Sequence, residues 1–282
     1  MKIQFSKMQG TGNDYIYVNA FNQTLEDPQK AAIEWSRYHF AIGSDGLILV
    51  APSKIADVRM IMYNSDGSEG KMCGNGIRCV AKYAYDHKIT DKKKMTIETA
   101  SGIKHVEVTT DRNDLVTSVK VDMGKAILKP SGIPMLAQGD NFISGKITVD
   151  GKEYQGTAVS MGNPHLVIFM EGIDELPLDK MGPFFENHEW FPEKVNTEFV
   201  ERIDEHNFKM RVYERGTGET MSCGTGTCAV TVAAVLNGYA RYGEEIHIHI
   251  RGGILTDTYL ENGTVIMEGP ATHVFDGEIE IG

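Results

Sequence analysis

The chain has 282 residues, of which 41% are hydrophobic, 24% charged and 9% aromatic, a balance that supplies two cores at about 150 residues per domain and excludes a disordered chain. A net charge of −11 leaves no basic footprint for nucleic acid or an anionic membrane surface. No apolar run approaches the ~20 residues that span a bilayer, no secretory signal opens the sequence, and four cysteines are too few for a disulfide framework; the expected setting is the cytoplasm, with reduced thiols.

In chain order, residues 15–18 and 58–63 read as short apolar or alternating strands, and 47–50 is a short apolar stretch. Turn residues follow at 64–68, then Cys73-Gly-Asn-Gly76 and a helix-like segment, 77–85, interrupted only by Arg78 and Lys82. Strand-like runs return at 95–99 and 118–122, and Gly124, Pro130, Gly132 and Pro134 mark a boundary near 123–133. The second half repeats the plan: strands at 165–169 and 208–213, a turn at 215–218, Cys223-Gly-Thr-Gly226, an almost wholly apolar helix through 236, a stop at Asn237-Gly238 and a strand at 246–250. Helices apolar on most sides are buried on most sides, so each half is expected to be a β-rich shell around a central helix.

The two cysteine motifs lie 150 residues apart, and sliding the chain by that interval superposes Met60 on Met210, Tyr63 on Tyr213, Glu69 on Glu219, Cys73 on Cys223, Gly74 on Gly224 and Gly76 on Gly226 without a gap. Gly12-Asn13 falls on Gly162-Asn163, and Gly102 on Gly252. This is an internal duplication.

A Cys-Gly-x-Gly unit at a helix start sets a thiol beside open backbone amides and the positive helix end. The dipole is expected to bring the thiol toward the thiolate at neutral pH, the amides can hold a carboxylate, and Gly74 and Gly76 let that anion approach the backbone. Duplication would aim two such thiols at one crevice from opposite sides. Inversion at a carbon needs that arrangement, one group removing a proton from one face while the other delivers to the opposite face. Cys79 and Cys228 read as small buried hydrophobes. Zinc is a poor fit, because Cys-x5-Cys and Cys-x4-Cys are not ligand spacings and His87 and His165 add no compact ligand run; neither phosphate-binding glycine fingerprint is present. Asn13, Asn64, Asn75, Asn163, His165, Asn196, Glu214 and Arg215 cluster around the same motifs. Arg215 could grip a carboxylate and Glu214 an ammonium, which would suit a substrate with an amino acid at both ends. A binder that uses the helix ends only to hold carboxylate is the alternative from another class.

Residues 5–14, 64–68, 73–78, 161–165, 213–220 and 223–229 together resemble the diaminopimelate epimerase family, and the likeness runs nearly end to end. That resemblance implies interconversion of LL- and meso-diaminopimelate on the route to lysine and peptidoglycan precursors, with no cofactor and no metal. It implies Cys73 and Cys223 as the catalytic acid/base pair, with the α-carboxylate on the amides around Gly74-Asn75 and Gly224-Thr225. Asn13, Asn64, Asn163, Asn196, Glu214 and Arg215 would bind the rest of the substrate, chiefly its distal amino acid. His165 and Glu214 would be polar neighbours of the thiols. The implied fold is α/β (α+β), two similar pseudo-symmetric domains, each a β-barrel-like shell around a central helix, spanning 1–122 and 123–269 with a C-terminal strand from 270–282 returning to the first. Members often form homodimers, which sets that expectation here; nucleic acid and membrane are not expected partners. Gly46 stands where some members carry Gln, so no side-chain contact is assigned there, and Thr225 stands where Ser is frequent. Proline and hydroxyproline racemases are the nearest rivals on the same fold, distinguished by having no distal zwitterion for Glu214 and Arg215.

Overall fold

The computed structural model describes residues 2–280. The chain divides into two compact units, one comprising Met1–Val121 with Glu268–Gly282, the other Asp122–Met267.

In the first unit, β1 (Lys2–Gly10) turns through Thr11 and Gly12, both at positive φ, into β2 (Asn13–Asn19), the backbone twist that a two-residue hairpin favours. Helix α1 (Pro28–Trp35) leads to β3 (Gly46–Ala51), which runs parallel to β2; β4 (Val58–Asn64) returns antiparallel and carries the short β5 (Glu69–Gly70). After α2 (Gly74–Asp86), β6 (Lys94–Thr99) joins β4 in parallel, followed antiparallel by β7 (Gly102–Thr110) and β8 (Val116–Lys125). Helix α2 buries Ile77, Cys79, Val80, Ala81 and Ala84 completely and packs on strands from β1 to β7, so the strands wrap around it.

The second unit repeats this sequence of elements. β9 (Gly145–Val149), β10 (Lys152–Ser160) and β11 (Pro164–Phe169) lead to α3 (Leu178–Glu186). Next come β12 (Asn196–Arg202), parallel to β11, then β13 (Asn207–Glu214), β14 (Gly218–Glu219), α4 (Gly224–Leu236), β15 (Glu245–Ile250) and β16 (Gly253–Tyr259). β17 (Thr264–Pro270) closes the series, and β18 (Thr272–Glu280) pairs antiparallel with β1 along its length, from Lys2↔Glu280 to Gln9↔Thr272.

Duplication extends to strand register. Ile16↔Leu47 in one unit is matched by Leu166↔Thr197 in the other, Tyr17↔Ile48 by Val167↔Glu198, and Val50↔Met60 by Val200↔Met210. Each pair is displaced by the same 150 residues that separate the cysteines. A one-residue slip would reverse every side chain, so equivalent side chains face the same way in both copies. This is an α/β fold of two similar domains, rich in strands.

Two helices lie outside the segments that sequence pattern assigned. α1 starts with Asp27 accepting from Lys30 N and Pro28 in its first turn, a start signal too brief to stand out over eight residues. α3 contains Pro183, which reads as a breaker, and its Gly182 is obligatory because a Cβ there would lie 2.1 Å from the Tyr213 ring.

Candidate active site

Each candidate thiol sits at the N-cap of its unit's buried helix. Cys73 is extended (φ −131°, ψ 121°) and its Sγ accepts from Gly76 N at 3.3 Å. Cys223 holds the same backbone conformation (φ −126°, ψ 101°), with Sγ 3.6 Å from Thr225 Oγ1. All four cysteines are thiols; Cys79 and Cys228 are fully buried inside the helices, in keeping with small core residues.

In the first unit, Cys73 Sγ donates to Asn13 Oδ1 at 3.2 Å, and Asn13 Nδ2 donates to Asp45 Oδ2 at 2.6 Å. The Tyr15 hydroxyl is among the groups that favour the Cys73 thiolate. Asn75 is buried and turns its side-chain oxygen to Arg78 Nη2, 2.9 Å away. Arg78, with no exposed surface, also donates to Gly74 O and Pro270 O at 3.1 Å each. A guanidinium therefore clamps the start of α2 from beneath. Asn64 ends β4 and donates across the following turn to Ser68 Oγ at 2.9 Å.

In the second unit the residues equivalent to Tyr15 and Ile48 are His165 and Glu198, a wholly buried pair with Nδ1 2.7 Å from Oε1. The other ring nitrogen of His165 faces Asn163 Oδ1 at 3.0 Å, and Asn163 Nδ2 reaches Thr225 Oγ1 at 3.3 Å. Glu214 accepts from Thr220 Oγ1, and its carboxylate lies near enough to Cys223 to disfavour the thiolate. Asn196 braces the floor, donating to Pro164 O and accepting from Arg215 N, both at 3.0 Å. The Arg215 side chain is exposed and donates to Glu193 O. Glu214 and Arg215, adjacent in sequence, thus point to different surroundings, one to the thiol and one outward.

One expectation needs correction. Burial pushes both thiols up, against the helix-dipole argument. For Cys73 the Gly76 and Asn75 amides, Arg78 and Tyr15 oppose that shift; for Cys223 the Glu214 and Glu198 carboxylates reinforce it, and it is far larger. Desolvation outweighs the amides because it acts on the whole thiolate charge. Burial likewise raises Glu214, with Thr220, Cys223 and His165 opposing. The second glycine of each motif is also constrained by packing. A Cβ on Gly76 would lie 2.8 Å from Ile48 Cδ1, and one on Gly226 would lie 2.9 Å from Glu198 Oε1 and 3.2 Å from Cys223 Sγ. Both positions are small because the helix presses on the strand beneath.

Sequence reasoning missed Tyr15, Asp45, Arg78 and Glu198. Arg78 had a signal, a charge inside an apolar helix. Glu198 had another, a carboxylate at the position that the duplicate fills with Ile48. Among the described residues no group of three or more His, Cys, Asp or Glu is placed to hold a metal ion, and no helix is long and apolar enough to cross a membrane.

A family model for diaminopimelate epimerase matches residues 5–129 and 157–274. The chain belongs to the diaminopimelate epimerase family. A diaminopimelate epimerase of Methanococcus maripaludis is 53% identical over 280 residues, covering 99% of this chain and 100% of that protein; one of Leptospira biflexa is 48% identical with full coverage of both. The family's members are isomerases. The fold is shared more widely. A Bacillus anthracis phenazine biosynthesis protein of the PhzF family superposes with a TM-score of 0.69 at 18% identity, covering all of both chains. A hydroxyproline epimerase from Agrobacterium vitis does so with 0.68 at 14%, covering 99% of this chain and 92% of that one.

Proposed function

We propose that the protein interconverts LL- and meso-diaminopimelate by two-base proton transfer at the α carbon, in the supply of lysine and peptidoglycan precursors, with Cys73 and Cys223 as the bases. The observation that carries this reading is the duplicated thiol: each unit of a diaminopimelate epimerase family member caps its buried helix with a cysteine at the equivalent position. In one direction a thiolate takes the α-proton from one face while the other cysteine, as a thiol, delivers its proton to the opposite face; the reverse direction exchanges the roles. The electron pair left on carbon delocalises into the substrate carboxylate, and the amides of Gly74-Asn75 and Gly224-Thr225 stabilise that charge. Burial suits this chemistry, since a desolvated thiolate is a stronger base and so better matched to a weakly acidic C–H bond. Asn13, Asn64, Asn163, Asn196 and Arg215 serve binding of the distal amino acid, and His165 and Glu214 serve Cys223. The working setting is the cytoplasm and the working form a homodimer.

The test is incubation of reduced protein with LL-diaminopimelate in D2O, with Cys73→Ala and Cys223→Ala alongside, following α-deuterium and the meso isomer by NMR. Deuterium in the meso product, lost in either variant, is the expected result. Binding without α-exchange by the wild type would overturn the assignment, and turnover of proline instead would move the protein to the racemase branch of the fold.

A further inference from the structure

Glu198 is an expensive residue to place where it lies. It has no exposed surface, its Oε1 is bound to His165 Nδ1, and its Oε2, also buried, has no hydrogen-bond partner among the described residues. Burying a carboxylate costs stability unless it is fully paired, and a half-satisfied buried group in a native fold calls for an explanation. Fold maintenance does not supply one. By register, the equivalent position on β3 is Ile48, and by the 150-residue offset the equivalent of His165 is Tyr15, so the same pair of strands forms with an apolar side chain there.

What distinguishes the second copy is a path that runs from a wholly buried carboxylate through a histidine, where the first copy links Asp45 to Cys73 through Asn13 alone. Glu198 holds the His165 ring at 2.7 Å, the ring's other nitrogen meets Asn163 Oδ1 at 3.0 Å, Asn163 Nδ2 meets Thr225 Oγ1 at 3.3 Å, and Thr225 Oγ1 lies 3.6 Å from Cys223 Sγ. The charged and titratable groups around Cys223 are Glu198 on β12, His165 on β11 and Glu214 on β13. Gly226 leaves open the space that Oε1 borders, within 2.9 Å of where its Cβ would stand.

We propose that Glu198 is a positioning residue for the reaction: it fixes the His165 ring through Nδ1 and thereby sets the hydrogen-bond path that orients the Cys223 thiol, whereas the Cys73 thiol is reached from Asp45 through Asn13 without a histidine. The inference rests on the reading that Cys223 is one of the two bases. Removing the carboxylate behind a metal-bound histidine costs about 10- to 100-fold, and the same scale is expected where the oriented histidine serves a thiol.

Three measurements on Glu198→Gln and Glu198→Ile test it. With diaminopimelate, kcat is expected to fall by roughly 10-fold or more in both variants with KM changed less than about 2-fold, because Glu198 orients another residue and touches no substrate. The two directions must fall together, since the equilibrium between isomers fixes the ratio of their kcat/KM values. By NMR of protein with 15N-labelled histidine, the Nδ1–H resonance of His165 should shift in Glu198→Gln and be lost in Glu198→Ile. By peptide mass spectrometry after limited iodoacetamide treatment, the alkylation rate of Cys223 should change while that of Cys73 does not. Wild-type kcat in both folded variants, or a rise in KM alone, would overturn the proposal. Should Glu198→Ile not fold, Glu198→Gln decides. If the wild type fails to exchange the α-proton of diaminopimelate, the proposed function falls separately; the alkylation ratio then decides for Glu198, an unchanged Cys223 rate refuting it.

Discussion

Replacing Gly226 by alanine should separate stability from catalysis. Within a helix, Gly→Ala gains about 1 kcal/mol of propensity. Against that gain, the added Cβ would stand 2.9 Å from Glu198 Oε1 and 3.2 Å from Cys223 Sγ, where ordinary contact begins at 3.4 Å. Relief requires the carboxylate to move by about 0.5 Å and the thiol by a smaller amount, both inside a packed wall. Neither atom is the end of a free side chain, because Glu198 is tied to His165 and Cys223 to the helix start. Melting temperature should therefore change little, the two effects offsetting to within about 1 kcal/mol. Turnover should fall by roughly 10- to 100-fold, because sub-ångström misplacement at a reacting group carries that scale of loss. Steady-state epimerisation followed by NMR, beside a thermal melt, reads both quantities. Gly76→Ala is the internal control, since its Cβ meets Ile48 Cδ1 and Met60 Cε, both apolar side-chain ends. If Gly226→Ala keeps wild-type turnover, the thiol is not held by its surroundings and the geometric argument for Cys223 fails.

Arg78→Met removes at least three hydrogen bonds from a charged donor, to Gly74 O, Pro270 O and Asn75 Oδ1; after the relief of cation desolvation the loss should be on the order of 3 kcal/mol, read as a lower urea midpoint at unchanged slope. Both thiols hold their protons more tightly folded than unfolded, so the folded chain binds more protons above the ordinary thiol value and stability declines as pH rises through that window. Urea titrations above pH 9 should show a decline steeper by up to about 1.4 kcal/mol per pH unit in the wild type than in Cys223→Ala; parallel slopes would contradict a buried, protonated Cys223. Cys79→Ala should cost about 1–2 kcal/mol of stability and leave turnover intact, and loss of activity in the folded variant would refute its reading as a core residue.

The plan of the fold was legible where pattern is local. Helices α2 and α4 stand out by apolar content, the strands flanking them by short β-branched runs, and the duplication by a gap-free offset. Helices α1 and α3 escaped notice because one is a brief run and the other contains Pro183, although they too are 150 residues apart at Pro28 and Leu178. The offset held more information than single-segment patterns could yield. At the site, residue identity was legible and electrostatics was not. Dipole and amide arguments see only the residues next to Cys73 and Cys223, whereas desolvation comes from everything folded around them. Glu198 escaped for the same reason, since a glutamate in a strand pattern is read as facing water until the register turns it inward.

The pairing of β18 with β1 fixes an order of assembly. All of Asp122–Met267 leaves the ribosome before the last strand does, so the second unit has every one of its strands while the first still presents β1 with one edge open. Co-translational folding usually favours the N-terminal part; here the C-terminal part of the nascent chain completes first, and the first unit waits for a partner more than 260 residues downstream of β1. Contacts that distant in sequence close slowly. The stage at which this chain is most exposed to misassembly is therefore its last, and an exposed β1 edge is the surface that a chaperone would have to shield.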